Sequence, residues 1–241
     1  IDAFFDGEIE RIIQVNLDPI VASPSKQTSI VSNDKNCSIQ ITNNSLYDTS
    51  LIWIEKINHP VEPKGGARLS SVYQLQPFEL ALKDTIRIGI RYSNHIKNMK
   101  NISLYYYNQK DGWTFLPSSM HTNRQVIAST LFSLDAITIM QDIEPPFIRK
   151  VYPENKGRFH YKDLKTISVI ADDYLSGLNS DEKSMSMKLD DIPVRYAFQP
   201  IKKELSYYLP TPLEAGEHTM EYKISDQAGN TISGMSSFMV D

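Results

Sequence analysis

A seven-residue segment of the chain reads Ile86-Arg87-Ile88-Gly89-Ile90-Arg91-Tyr92. Apolar side chains occupy every second position, so a strand over these residues turns one apolar face toward a core and one polar face toward solvent. The same period of two recurs along Cys37–Ile41, Ile102–Tyr106, Ile167–Ala171, Met185–Leu189 and Met220–Ile224. Half-buried strands of this kind predict an all-β fold with antiparallel sheets.

Turn-forming residue pairs separate these segments at short intervals. They are Asp111-Gly112, Ser176-Gly177, Ala215-Gly216 and Gly229-Asn230. Such residues tolerate a left-handed backbone or cap a turn, so they support many short strands rather than helices. The stretch Glu8–Leu17 fits both a helix and a strand. The hairpin-like Phe4–Glu8 before it favours the strand.

The composition is that of a globular protein of one or two domains, with 241 residues, 41% hydrophobic and 22% charged. No uninterrupted apolar run exceeds four residues, which predicts neither a membrane-spanning segment nor a secretory signal. The net charge of −4, without a long run of one sign, gives no attraction to nucleic acid or anionic lipid. We therefore expect no nucleic-acid partner and no direct membrane insertion.

Cysteine and histidine usage argues against local metal and disulfide motifs. Cys37 is the only cysteine, so it cannot form an internal disulfide, and its alternating segment predicts a small core residue. The five histidines are at least 26 residues apart, which leaves no local zinc motif. Since GxSxG, P-loop and GxGxxG motifs are also absent, we expect no enzyme and no cofactor.

Two consecutive prolines, Pro145 and Pro146, mark the predicted domain boundary, because prolines stiffen the chain and cannot donate to a sheet. We predict two tandem antiparallel β-sandwich domains, residues 1–142 and 143–241, joined by this stiff hinge. Residues 1–34 are too few to form a core of their own. They either complete the first domain or form the tail of a preceding one.

Five segments of the second domain form a recognisable series. They are Pro145–Ile148, Ala171–Gly177, Lys188–Val194, Ala215–Thr219 and Ser225–Asn230, the last with the pattern D-x-A-G-N. The series resembles the Ig-like modules of large secreted bacterial proteins. Asp191 stands where the module's hairpin usually carries glycine, and aspartate is tolerated in a left-handed turn. The resemblance implies an Ig-like second sandwich.

The first domain is similar to ZU domains in Ile39–Thr49, in Val72–Pro77, and in Leu104–Tyr106 with Gly112-Trp113. Thr42 and Asn44 replace the usual proline and glycine. ZU domains are known from ankyrins and netrin receptors and occur as accessory modules of bacterial surface proteins. A ZU-like and Ig-like tandem resembles the C-terminal part of large exported bacterial proteins, which implies an extracellular, cell-surface or periplasmic location.

The resemblance implies a non-catalytic structural or accessory module that spaces or presents another domain. Its partners would be other domains of the parent protein or another envelope protein, contacted along exposed strand edges. Asp226, Gly229 and Asn230 are expected to fix the last turn, and Trp113 to lie in the core or an interface. Some such exported proteins carry a lysostaphin-type zinc endopeptidase upstream. An accessory region of such an enzyme is therefore an alternative, although its catalytic domain is not in this sequence.

Two ligand-binding alternatives remain open. Tyr105 and Tyr107 share one face of a predicted strand and, with Trp113, would form a stacking platform for a polysaccharide. Asp172, Asp173 and Asp181 offer oxygens for calcium, or else lie in a solvated turn, since their spacing does not match an EF-hand loop.

Overall fold

The computed structural model describes residues 18–96 and 98–241, so the strand predicted within Glu8–Leu17 lies outside the described residues. In the described part, the helical elements are two short 3₁₀ turns, Thr122–Arg124 and Glu182–Ser184. No helix found there is long and apolar enough to cross a membrane. The remaining regular structure is strand, which confirms the predicted all-β class.

The strands are numbered in chain order. The first twelve are β1 (Ile20–Ala22), β2 (Thr28–Val31), β3 (Cys37–Ile41), β4 (Ser50–Ile57), β5 (Gly66–Arg68), β6 (Val72–Gln76), β7 (Ile86–Arg91), β8 (Ile102–Asn108), β9 (Gly112–Leu116), β10 (Ser119–His121), β11 (Val126–Leu131) and β12 (Ala136–Asp142). They are followed by β13 (Phe147–Tyr152), β14 (Arg158–Phe159), β15 (Thr166–Asp172), β16 (Met185–Leu189), β17 (Ile192–Pro193), β18 (Ala197–Gln199), β19 (Glu204–Tyr208), β20 (Gly216–Ser225) and β21 (Thr231–Val240).

The chain forms two compact units that are interleaved in sequence. The described residues of the first unit are 18–58, 71–92 and 118–137, and those of the second lie within 59–70, 93–117 and 138–241. Residues on both sides of the position predicted as a boundary, 142 and 143, belong to the second unit. The division into domains 1–142 and 143–241 stays a prediction.

The core of the first unit follows the alternation of β7. Ile86, Ile88 and Ile90 are buried, whereas Arg87 and Arg91 on the same strand are exposed. This strand lies inside the sheet β10-β11-β7-β3-β2, while β1, β4 and β6 pair as a second antiparallel set. Inward side chains of both sets are buried, among them Ile30, Cys37, Ile39, Ile52, Leu75 and Ile127.

The second unit contains an Ig-like sandwich. One sheet has the order β13-β15-β19-β18, which is the A-B-E-D order of the immunoglobulin fold, and the other has the order β14-β21-β20-β16-β17, which contains G-F-C. Alternate residues of both sheets meet in one core, including Ile167, Val169, Met187, Leu205, Met220, Ile224 and Phe238. The Ig-like topology therefore follows from strand order and from where the apolar residues fall.

β14 and β21 are paired in parallel. Backbone bonds run in both directions between the two segments. Lys156 and Met239 donate to the carbonyls of Ser237 and Gly157 at 2.6 and 2.9 Å, and Asp241 donates to that of Phe159 at 3.1 Å. The C-terminal end of β21, the last strand of the sandwich, is thus hydrogen-bonded to β14, which lies near the start of the sandwich in the sequence.

Candidate functional site

Three aspartates in the second unit meet where strands end. Asp142 is the last residue of β12, and Asp173 and Asp226 directly follow β15 and β20. One oxygen from each carboxylate lies within 4.8 Å of the others. We call these three residues the carboxylate centre. Asp142 and Asp226 are buried, whereas Asp173 is half-buried.

Asp226 organises the turn between β20 and β21. Its Oδ1 accepts hydrogen bonds from the backbone N–H groups of Gly229 and Asn230 at 2.7 and 2.8 Å. Its Oδ2 accepts one from Asn230 Nδ2 at 2.8 Å. Gly229 has a φ of +99°, which a side chain would strain. The three residues singled out in the sequence for this turn are thus placed together.

Backbone N–H groups of the loop after β15 donate hydrogen bonds to the other two carboxylates. Oδ2 of Asp173 accepts hydrogen bonds from the N–H groups of Leu175 and Gly177 at 2.9 and 2.8 Å. Oδ2 of Asp142 accepts one from the N–H of Ser176 at 3.1 Å. Backbone donors therefore hold one oxygen of each of these two aspartates and fix its orientation.

Two side-chain oxygens near the carboxylate centre are buried and have no hydrogen-bond partner among residues 18–96 and 98–241. One is Oδ1 of Asp142, and the other is the hydroxyl of Tyr105 on β8, whose side chain is fully buried. Buried polar atoms are almost always hydrogen-bonded, so each exception requires an explanation. Within residues 18–96 and 98–241, no lysine, arginine or histidine forms an ion pair with the three carboxylates.

The electrostatics of the carboxylate centre disfavour its charged form. Burial, with the charges of Asp173 and Asp226, raises the pKa of Asp142 to about 6, although the hydrogen bond from Ser176 acts in the opposite direction. Burial also raises the pKa of Asp226, and the charge of Asp173 adds to this effect. The hydrogen bonds from Gly229 and Asn230 lower the pKa but do not outweigh the increase. Burial and all three carboxylates raise the pKa of Tyr105, so its hydroxyl stays neutral.

The calcium ligands predicted from sequence are not brought together. Asp172 is buried and forms ion pairs with Arg149 and Lys203, and Asp181 is exposed. Of the three predicted residues, only Asp173 belongs to the carboxylate centre. Asp172 and Asp173 differ because neighbouring residues at a strand end point in different directions.

The predicted stacking platform requires a correction. Tyr105 is fully buried, not exposed, because both faces of β8 are covered at this position. Trp113 is buried as well, and its Nε1 donates to the carbonyl of Val61 at 2.8 Å. Tyr107 is half-buried, and its ring packs against those of His59 and Trp113 with centroids 4.2 and 5.3 Å away. These rings are occupied by contacts within the unit.

Sequence reasoning overlooked Asp142 as a possible ligand and misplaced Tyr105. The available signal was an aspartate at the end of a strand, but the same signal marks ordinary turns. Only the three-dimensional arrangement of β8, β12, β15 and β20 shows that these ends meet.

Comparisons with known proteins give no family. No protein-family model matches the chain, and no curated protein sequence matches it. Among solved structures, it is similar to CopC from Methylosinus trichosporium OB3b, with 20% identity over 40% of this chain and 93% of that one and a TM-score of 0.33. It is also similar to PcoC, a methionine-rich copper resistance protein from Escherichia coli, with 18% identity over 41% and 100% and a TM-score of 0.34.

A further similar structure is that of immunoglobulin domains 1–4 of Sidekick-1, with 10% identity over 89% of this chain and 76% of that one and a TM-score of 0.27. TM-scores below 0.5 do not establish a shared fold, and no function is transferred from these proteins. The ZU-like and D-x-A-G-N assignments rest on sequence segments alone and stay predictions.

Proposed function

We propose that the chain is a non-catalytic structural module of an exported bacterial protein, and that its Ig-like sandwich acts as a spacer that withstands tension. The observation that carries the proposal is the parallel pairing of β14 with β21. Its neighbours would be other domains of the parent protein or another envelope protein. The proposed extracellular, cell-surface or periplasmic location is supported by the resemblance of Pro145–Ile148 and Ser225–Asn230 to secreted Ig-like modules.

The direction of the two strands determines how they respond to force. When the chain is pulled from the residue before β14 and from the end of β21, the two parallel strands are drawn in opposite directions along their axes. The bonds donated by Lys156, Met239 and Asp241 are then loaded together, in shear. A hairpin pulled from its open end breaks one bond at a time, so the parallel pair should resist a larger force.

The opposite end of β21 is also fixed. This strand begins directly after the turn that Asp226 organises, and it pairs with β20 over ten residues. Gln227 and Ala228 of the same turn donate to Gly177 and Ser176 of the loop after β15, at 2.9 and 3.3 Å. A force on β21 is thereby spread over both sheets of the sandwich.

Single-molecule pulling on the full chain tests this proposal. Cysteines introduced by Glu154→Cys and Asp241→Cys provide exposed attachment points, whereas Cys37 is buried and should stay unlabelled. We expect the Ig-like sandwich to rupture in one step. Met239→Pro removes the N–H that bonds Gly157 and should lower the rupture force clearly.

Met235→Pro is the matched control. Met235 lies on the same strand and is exposed, but β14 pairs with β21 only at Met239 and Val240. The control should therefore keep most of the wild-type rupture force. Equal rupture forces for the two proline variants would contradict the spacer role. Recovery of the native chain in the cytosolic fraction of its source cells would contradict the proposed export.

A further inference from the structure

We propose that Asp142, Asp173 and Asp226 together bind one divalent cation of the calcium class. The inference is independent of the spacer role, because the carboxylate centre does not include the bonds between β14 and β21. All three residues belong to the second compact unit.

The spacing of the oxygens fits such an ion. Calcium is bound by oxygens at about 2.3 to 2.6 Å, so two ligands on opposite sides of it are about 4.8 Å apart. The three carboxylates each offer an oxygen within this limit. Two of the residues directly follow a strand and one ends a strand, so each position is fixed by sheet pairing next to it.

The unpartnered atoms supply a second observation. Oδ1 of Asp142 is buried and has no hydrogen-bond partner in the described part of the chain, while its Oδ2 already accepts the N–H of Ser176. The hydroxyl of Tyr105 is also fully buried, has no hydrogen-bond partner among the described residues, and lies in the electrostatic field of all three carboxylates. A bound cation accounts for the free carboxylate oxygen, and water on that cation offers a partner for the hydroxyl.

Charge compensation distinguishes these residues from their neighbour. Asp172 has its own cations, Arg149 and Lys203. The carboxylate centre has no comparable ion pair within the described ranges, and its members repel one another. Buried charges of one sign require a counter-charge or a proton, and a divalent cation neutralises most of this charge in one step.

The donor set selects the class of metal. Carboxylate oxygens are hard ligands that suit calcium, magnesium or manganese, whereas copper and zinc sites in proteins are built mainly from sulfur or imidazole. No histidine or cysteine belongs to this group of described residues. Calcium tolerates irregular coordination better than magnesium, which demands an octahedron and retains its waters. We therefore expect calcium to bind more tightly than magnesium.

Calorimetric titration and thermal unfolding of the full chain provide the test. After treatment with chelator, calcium chloride should bind with a stoichiometry of one ion per chain and raise the midpoint of unfolding. Extracellular calcium modules bind with Kd values of about 0.1 to 1 mM, so titration to about 10 mM covers the expected range. No binding and no midpoint shift for calcium, magnesium or manganese at that concentration would overturn the proposal and leave a shared proton as the compensating charge.

Two isosteric variants locate the site. Asp142→Asn retains an oxygen to accept the Ser176 bond, and Asp173→Asn does the same for the N–H groups of Leu175 and Gly177. Each should weaken calcium binding at least tenfold and remove the calcium-dependent shift, without lowering the midpoint measured in chelator. If one variant fails to fold, the other provides the answer.

Asp181→Asn is the matched control, since Asp181 is an exposed aspartate between β15 and β16. It should bind calcium as the wild type does. Calcium responses that persist in both Asp142→Asn and Asp173→Asn would place any calcium site elsewhere and overturn the proposal. Loss of the response in Asp181→Asn would do the same.

Discussion

Nδ1 of His218 lies 2.6 Å from Oδ2 of Asp190. The other ring nitrogen, Nε2, lies 2.9 Å from the carbonyl oxygen of Glu214. Asp190 also accepts the backbone N–H of Thr219 at 2.8 Å, and the His218 ring stacks on Phe238. Burial lowers the pKa of His218, but the hydrogen bonds and charges of Asp190 and Glu214 outweigh it, so the pKa is raised above its ordinary value.

We predict that this pair makes stability depend on pH in the neutral range. The folded protein holds the His218 proton more tightly than the unfolded chain, whose histidine pKa is about 6.5. The stabilisation is therefore complete below that value and is lost as the pH rises through the folded pKa. Urea unfolding of the wild type and of His218→Gln between about pH 5 and 9 measures the effect. The difference in free energy of unfolding between wild type and variant should shrink as the pH rises. A difference that does not depend on pH would contradict the prediction.

Tyr73 provides a second prediction, in the first unit. Its side chain is buried, and its hydroxyl donates to Oδ2 of Asp34 at 2.8 Å, while Ser32 Oγ donates to Oδ1 at 2.7 Å. Tyr73→Phe removes a bond to a charged acceptor and should lower the free energy of unfolding by about 1 to 3 kcal/mol. Tyr47→Phe, at an exposed tyrosine, should change it very little.

The same substitution should alter acid sensitivity. Burial alone would raise the pKa of Asp34, but hydrogen bonds from Ser32, Tyr73 and Asn36 lower it below its ordinary value. The contribution of the Asp34 carboxylate to folding stability is thus present above its unfolded pKa of about 3.9 and is lost as the pH falls through its folded pKa. In acid unfolding followed by circular dichroism, the stability of Tyr73→Phe should depend less on pH than that of the wild type. An unchanged pH dependence would mean that the bond from Tyr73 does not lower the pKa of Asp34.

A third prediction concerns close backbone approach at Gly66. A Cβ atom there would lie 2.5 Å from the carbonyl oxygen of Gln141 and 2.3 Å from a methyl carbon of Leu175. Since Gln141 offers backbone, which cannot rotate away, Gly66→Ala should lower the free energy of unfolding by about 2 to 4 kcal/mol.

Gly112→Ala is the matched comparison for this substitution. Gly112 has a φ of +76° but open space around it, so alanine introduces only conformational strain, about 1 kcal/mol. Chemical denaturation of both variants gives the two values. Equal losses of unfolding free energy in the two variants would show that Gln141 does not contact Gly66 closely enough to exclude a Cβ atom.

The strands were the most predictable part of the molecule. In β3 and β7 one face is buried and the other is exposed or half-buried, so the period of two in the sequence translates directly into burial. β8 departs from this rule, because Leu104 and Tyr105, which point to opposite faces, are both buried. Alternation indicates which residues share a face, but what covers the second face is a matter of tertiary structure.

The carboxylate centre was less predictable for the same physical reason. Asp142 and Asp226 are separated by more than eighty positions and meet through sheet pairing, not through a local motif. The turn at Asp226 could be inferred because its donors, Gly229 and Asn230, lie within four residues. The partners of Asp172 could not be, since Lys203 lies 31 positions away.

The second unit is built from three segments separated in the sequence, and this limits how it can be transferred between genes. A gene fragment encoding only residues 143–241 would omit Asp142, Tyr105 and Gly65, whose carbonyl accepts the N–H groups of Ile143 and Glu144. Recombination that moves the Ig-like strands into another gene would have to carry the upstream segments 59–70 and 93–117 with them. We expect this unit to spread between genes as a long block that includes the first unit, rather than as a short cassette of about 100 codons.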